Sequence, residues 1–518
     1  MTMDARPQQI LAADLRFIDA SCKRHALMQR AMAYSAIACI CIVAWQLLVH
    51  GPFLWHVRQA SYWQGGIEAL LLTAGLGALQ AWRRRGLRMA ASLLLAELYL
   101  RRHAADAALL IDLVYLELLI ALGVLMTRRC GGSLTEDIVS YLRCFALGFA
   151  AWSAGAWLLS ACGYGGVADL RVFTALLLVP ALCARSRPWT VFVTQRIESM
   201  PLAARLAAAA TAAWFLILFA HSATAIGYDS QWYGLRGDRV LVGAGSVFVS
   251  QGLTSPVNYF PKVYELLLVP VSGLGSSSVI AGMSILMLGL IAAAAFHLLG
   301  RLGLHTPLPR VAGAALAVTL PAAANIALEA KPDVLAAFLL LLAWIHAMEF
   351  VTTRSRVALL WLAALLLLST QAKLTAIPYA ASLTLATAIG VLCTRSAPRT
   401  DSSADLRTGM LACALICTVA ACVTARTLLL AGMPTIGPDP LVRLWHDTGF
   451  SLTFPVGTLR WSYPAVWTDI PALLFDLLFA PQRLTIIAIT WTGNVWFWLA
   501  LIAICARIAH RQTALRTP

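Results

Sequence analysis

The chain has 518 residues, 60% of them apolar and only 12% charged, with a mean hydropathy of +0.77. So few charges cannot cover a soluble protein of this length, which excludes soluble globular and disordered classes alike. The net charge of +15 does not mark a nucleic-acid binder, because the arginines stand in short clusters between apolar runs, as topology determinants do. Apolar runs of about 18–20 residues recur along the whole length, the measure of a ~30 Å hydrocarbon layer. The expected class is an all-α, multi-pass membrane protein with membrane lipid as its solvent and no nucleic-acid partner.

The N-terminus is polar to about Arg30 and carries no cleavage pattern, so the first apolar run is expected to be a retained span. Spans are predicted near 31–50, 66–82, 88–105, 107–126, 143–161, 171–184, 205–221, 278–300, 311–328, 333–352, 356–370, 374–393, 408–431 and 484–507. The segment 88–105 is the weakest, since Arg101, Arg102 and His103 fall inside it, and an interfacial helix is its alternative. Fourteen spans put every arginine cluster on one side: Arg83–Arg85 with Arg88, Arg128 with Arg129, Arg185 with Arg187 and Arg196, Arg301 with Arg310, Arg354 with Arg356, Arg395 with Arg399 and Arg407, and Arg507 with Arg511. The positive-inside rule makes that side cytoplasmic, together with both termini. Only four lysines occur, Lys23, Lys262, Lys331 and Lys373, against a rich supply of arginine and alanine. That bias hints at a GC-rich bacterial genome, and the expected location is the bacterial inner membrane.

Three regions follow: an N-terminal transmembrane region 1–200, a core 201–431 with the external loop 222–277, and a Trp- and Pro-rich external loop with the last span, 432–518. Apolar positions Val240, Leu241, Ala244, Val247 and Phe248 predict a surface helix over 238–250. Residues 263–271 are apolar but too short to span, so a re-entrant or juxtamembrane piece is expected. Most of the 12 cysteines lie in apolar runs and no CxxC pair stands near histidines, so zinc and thiol redox chemistry are not expected.

Polar residues crowd the predicted outer face of the second half. Asp229 follows a span among Tyr228, Trp232 and Tyr233, with no adjacent cation to neutralise it. Glu329, Lys331 and Asp333 share a short turn, and Lys373 opens a span after Ser369, Thr370 and Gln371. Plainer roles compete with function here: Asp333 as a helix-start residue complementing the helix dipole, and Lys373 snorkelling to the interface. Arg426, near the end of its span, either snorkels or binds an anion. Asp112 and Glu117 lie within a predicted span and are costly there, so they are expected to pair or to face a polar interior. Trp445, Trp461 and Trp467 read as an interfacial belt or, less simply, as a sugar platform.

The stretch Gly227-Tyr228-Asp229-Ser230-Gln231-Trp232-Tyr233, followed by Asn258-Tyr259-Phe260-Pro261-Lys262-Val263-Tyr264-Glu265-Leu266-Leu267, resembles the first external loop of GT-C glycosyltransferases. These are integral-membrane enzymes that use polyprenyl-phosphate sugars. Lys331-Pro332-Asp333 looks like the second external acidic turn of that superfamily, and Thr370-Gln371-Ala372-Lys373-Leu374-Thr375-Ala376 is similar to its Lys-containing segment. The likeness covers roughly 205–431. It implies a GT-C-like core in which Asp229 is the catalytic acid residue, either base toward the acceptor or ligand for an assisting divalent cation, with Asp333 supporting it. It further implies Lys262, Lys373 and Arg426 as donor-phosphate partners, and Tyr228, Trp232, Tyr233, Glu265 and Lys331 as substrate-binding residues. The donor would be a polyprenyl-phosphate-linked monosaccharide and the acceptor a cell-envelope glycan, lipid or protein, with inversion if transfer is one displacement. A secondary transporter is the alternative, because about fourteen spans is also a transporter number. An inert scaffold is the third choice.

Overall fold

The computed structural model describes residues 60–453, apart from 133–136, 184–186, 225–229, 231–233, 254, 395–400 and 438, together with residues 38 and 41. Residues Ile67–Thr319 and Ala323–Ser462 form one compact unit. The other unit, Met1–Gly66, Leu320–Ala322 and Tyr463–Pro518, lies almost wholly outside the described residues, as do the predicted spans 31–50 and 484–507.

Every regular element among the described residues is helical. In chain order these are α1 (Ala60–Gln80), α2 (Arg85–Arg102), α3 (Asp106–Arg129), α4 (Ile138–Ala161), α5 (Val167–Cys183), α6 (Trp189–Glu198) and α7 (Leu202–His221). The short α8 (Gly237–Val240) and α9 (Val263–Leu268) follow. Then come α10 (Ser278–Arg301), α11 (Pro307–Thr319), α12 (Pro321–Leu328), α13 (Asp333–Thr353), α14 (Arg356–Ala372), α15 (Ile377–Cys393), α16 (Ser403–Ala431) and α17 (Asp439–Asp447).

Among the described residues, seven segments are long and apolar enough to cross a membrane: α3, α4, α7, α10, α13, Leu374–Cys393 with α15, and α16. This is a multi-pass membrane protein. Each of the seven overlaps a predicted span. The predicted spans 66–82, 88–105, 171–184, 311–328 and 356–370 also fall on helices. Of these, α14 is apolar but short, and α2 carries Arg85, Arg88, Glu97, Arg101 and Arg102, a heavy load for hydrocarbon.

Depth in the bundle differs sharply between helices. In α4 and α10, 72% of the most apolar stretch is buried in protein, against 11% of Leu374–Cys393, which leaves the latter facing outward. The core of α4 is aromatic, with Phe145, Phe149, Trp152 and Trp157 fully buried. Its contact with α3 is a close backbone crossing. A β-carbon on Gly123 would stand 1.9 Å from the Cys144 carbonyl oxygen, and one on Gly148 1.8 Å from that of Leu119. Helices in lipid gain no hydrophobic advantage from touching, so close van der Waals approach at small residues carries such contacts. Gly148→Val is expected to force the pair apart, costing more than the ~1–3 kcal/mol of ordinary overpacking. Size-exclusion chromatography of the detergent-extracted protein should show loss of the monodisperse peak. Gly289→Ala, in a helix position with open space around it, should not change the profile.

Polar side chains join helices at defined places. Arg143 of α4 donates to His346 Nε2 (3.1 Å) and Glu349 Oε2 (3.0 Å) of α13. Asp137 caps α4 by accepting from the Ser140 amide at 2.7 Å. Asp401, in the polar linker between α15 and α16, caps α14 by accepting from the Arg356 amide and the Ser355 hydroxyl, each at 2.6 Å. The core is shared across residue 200, since buried residues of α3 and α4 pack in one cluster with those of α10, α13, α14 and α16.

One predicted element is corrected. Instead of a surface helix over 238–250, the chain is helical only through α8 and then turns. Gly245 takes the left-handed conformation (φ +81°) that a helix cannot continue through. Leu241, Val242 and Val247 point into the protein rather than toward lipid. The segment docks on the end of α4: the Ser246 hydroxyl donates to the Ser160 carbonyl at 2.6 Å, and the Phe248 ring meets Trp157 edge-on at 5.9 Å. The apolar piece 263–271 is short, as expected, forming α9 and a following 3-10 turn, all of it buried.

Candidate functional site

Asp229, Tyr228, Trp232 and Tyr233 lie outside the described residues, as do Trp461 and Trp467. Gly234 lies next to the turn between α12 and α13. The Gly234 amide donates to the Ala330 carbonyl at 3.1 Å, in the turn that carries Glu329, Lys331 and Asp333. Three residues on, Gly237 lies against the Glu265 backbone of α9. Residues 234–237 are therefore held between the turn of Lys331 and the backbone of α9.

Lys262 occupies the residue before α9, and Glu265 the first turn. Spacing of three residues on a helical turn puts both side chains on one face, and Lys262 Nζ donates to Glu265 Oε1 at 2.8 Å. Both are almost completely buried. Burial pulls the Lys262 ammonium below the ordinary lysine range, while Glu265 opposes that shift and Arg426 adds to it. The second carboxylate oxygen of Glu265 is buried without a hydrogen-bond partner among the described residues. Arg426 does not snorkel outward. It is buried, donating from Nε to the Val247 carbonyl and from Nη2 to the Asn258 carbonyl, both at 2.9 Å. It thereby fastens the docked segment and the approach to α9 onto the end of α16.

Asp333 is the first residue of α13, after Pro332 at the N-cap. It forms an ion pair with Lys373, the residue that ends α14. Lys373 is thus turned to a carboxylate rather than simply to the interface. Lys331 pairs with Glu329 within the turn. Tyr264 connects α9 to the Lys331 turn through Ser284. Its hydroxyl shares a 2.6 Å hydrogen bond with Ser284, whose hydroxyl also reaches the Lys331 carbonyl at 3.4 Å. Burial raises the Tyr264 phenol above the ordinary tyrosine range against the lowering effect of Ser284, and the ring lies within electrostatic reach of Asp112, Glu265 and Asp333.

Asp112 and Glu117 do not pair with each other. Glu117 accepts the Trp189 and Thr190 amides at 2.9 and 2.8 Å, which makes it the cap of α6. Asp112 is completely buried, both its oxygens lack a hydrogen-bond partner among the described residues, and it abuts Gly282 and Phe219. Of the Trp-rich loop, Trp445 donates to the Thr435 hydroxyl at 2.9 Å and packs edge-on against Phe450, an internal brace.

A further group was not singled out in the sequence. Glu68, His103 and His221 bring one ligand-type atom each to within 4.8 Å of one another. It is a combination of residues able to hold a metal ion.

Comparison with protein-family models, with curated proteins and with solved structures finds no match to this chain.

Proposed function

We propose that this protein is a membrane glycosyltransferase of the GT-C type, with about fourteen spans in all and a GT-C-like core over 201–431, in the bacterial inner membrane with both termini cytoplasmic. It would move a monosaccharide from a polyprenyl-phosphate donor to a cell-envelope glycan, lipid or protein on the extracytoplasmic side. One observation carries the reading: the chain at Gly234 is hydrogen-bonded to the turn of Lys331 and Asp333 and at Gly237 lies against the Glu265 backbone, while Lys262 pairs with Glu265 and Asp333 with Lys373. Such transfer needs a carboxylate to take the acceptor proton as its oxygen attacks the anomeric carbon. It also needs cations to stabilise the departing phosphate. In this reading Asp229 is the base or binds an assisting divalent cation, Asp333 keeps Lys373 in place, and Lys262, Lys373 and Arg426 supply the positive field. Tyr228, Trp232, Tyr233, Glu265 and Lys331 line the substrate.

The alternative, a secondary transporter, is favoured by Asp112, a buried carboxylate inside a span. Binding separates the two. Polyprenyl phosphate should raise the melting temperature of the purified protein and polyprenol should not, because only the phosphate meets the cations. Equal shifts, or none, would count against the enzyme.

Topology supplies a second check. Cysteine substituted for Ser255 should react with a membrane-impermeant maleimide in intact cells, and cysteine substituted for Ser402 should not. The reverse pattern would remove the extracytoplasmic site.

A further inference from the structure

The helices α1, α2 and α7 share a narrow apolar seam. Buried Leu72 and Leu76 of α1 and Ala209 and Ala213 of α7 pack with Leu95 and Tyr99 of α2 and with Leu216 and Ile217. Each stripe repeats every four residues, the spacing that keeps side chains on one helix face. Followed to the same end of the seam, each stripe finishes on a ligand-type residue. Leu76 and Leu72 lead to Glu68, Leu95 and Tyr99 to His103, and Ala213 and Ile217 to His221. Glu68 lies in the first half of its helix, while His103 and His221 close theirs. With α1 running away from that end of the seam and α2 and α7 both running toward it, three helices deliver a carboxylate and two imidazoles to one point.

The geometry points to a Zn²⁺ site, and we propose that Glu68, His103 and His221 bind that ion. His103 Nε2 lies 3.0 Å and His221 Nε2 3.5 Å from Glu68 Oε1. Zinc bonds of ~2.0–2.2 Å in a tetrahedron place neighbouring ligand atoms roughly 3.3–3.5 Å apart, so small rotamer adjustments seat the ion. The imidazole rings meet edge-to-face, centroids 4.9 Å apart at 62°, instead of stacking, which lets both Nε2 atoms converge. Two nitrogens and one carboxylate form a borderline donor set suited to Zn²⁺ rather than to Mg²⁺ or Ca²⁺, which take oxygen.

A supporting contact is also present. The Tyr99 hydroxyl donates to Glu68 Oε1 at 2.5 Å, and the Tyr99 ring packs against His103 at 4.8 Å. Partners of this kind orient metal ligands and raise affinity. The nearby cation Arg101 is directed to Glu97 and Asp106 instead. The side chains of Glu68, His103 and His221 are 29%, 21% and 44% exposed, leaving a fourth coordination position open to solvent. The expectation from cysteine spacing that zinc plays no part is thereby replaced, on a ligand set that contains no cysteine. The proposal does not rest on the glycosyltransferase reading, although His221 stands eight residues before Asp229, so the ion would anchor the start of that segment.

Without metal, Glu68 Oε1 accepts from the Tyr99 hydroxyl and stands at ion-pair distance from both imidazoles. The test uses the purified full-length protein, freed of any polyhistidine tag and stripped with a chelator. Zn²⁺ is titrated against a chromophoric competitor, and Co²⁺ is added separately to report coordination by its visible absorption. One tight Zn²⁺ per chain is expected, with intense Co²⁺ bands of tetrahedral type. His103→Gln, His221→Gln and Glu68→Gln should each lose that binding. Tyr99→Phe, which keeps all three ligands, should weaken it by ~10–100-fold and serves if a ligand variant fails to fold. His305→Ala, at an exposed histidine elsewhere, should have no effect. Retention of stoichiometric binding in both histidine variants, loss in His305→Ala, or no binding by the wild type would overturn the site.

Discussion

Asp229→Asn is expected to reach the membrane in normal amount, to bind polyprenyl phosphate as the wild type does, and to lose sugar transfer by ~10²–10⁴-fold. The substitution keeps the side chain's shape and removes its negative charge and its capacity to accept a proton. A surface or helix-cap role would behave differently, costing at most ~0.5–2 kcal/mol of stability and leaving turnover intact. The two cases are told apart by measuring melting temperature and transfer on the same preparation. Wild-type transfer by Asp229→Asn would end its catalytic assignment whatever the fold.

The second large effect concerns the buried pair of α9. Glu265→Gln leaves Lys262 without its carboxylate in an almost fully buried position, and breaking a buried pair on one side typically costs ~3–5 kcal/mol. The cost should depend on pH in a definite sense. Burial already depresses the Lys262 pKa and Glu265 is what opposes the depression, so the variant's folded lysine is pushed further down. The unfolded chain then binds more protons than the folded one between that depressed value and the ordinary lysine value, and stability rises with pH across this window. Thermal melts of Glu265→Gln should therefore recover toward wild type on the alkaline side. The double variant Lys262→Met/Glu265→Leu removes both charges and should melt close to wild type. On the proposed function it should nonetheless fail to be stabilised by polyprenyl phosphate. A double variant that still responds to the phosphate would take Lys262 out of the donor site, and an unstable double variant would show that the pair is needed for folding.

The apolar runs were readable because hydrocarbon imposes length and composition on any helix that crosses it. Hence α3, α7, α10 and α13 lie close to their predicted bounds. The loop after Asp229 was not readable in the same way. Val240, Leu241, Val247 and Phe248 fit a helical face by spacing, yet Gly245 and the serine contacts with Ser160 turn the segment inward. Periodicity cannot distinguish a lipid face from a protein face. The charged residues near the candidate site were conspicuous as residues, but their partners were not. Lys262 and Glu265 are three apart and could have been paired by eye, whereas Lys373 meets Asp333 only because α13 and α14 are antiparallel neighbours. Glu68, His103 and His221 come from two consecutive helices and a third about a hundred residues on, and no local motif announces such a site. The usable trace was the four-residue stripe on each helix ending in a polar residue.

The most direct measurement uses the purified wild-type protein, reconstituted in liposomes with a radiolabelled polyprenyl-phosphate sugar and a cell-envelope acceptor fraction. Label should appear in the acceptor with release of polyprenyl phosphate and inversion at the anomeric carbon, and no nucleotide sugar should be needed. Liposomes that accumulate a solute against its gradient, while no label leaves the lipid donor, would contradict it and make the protein a transporter.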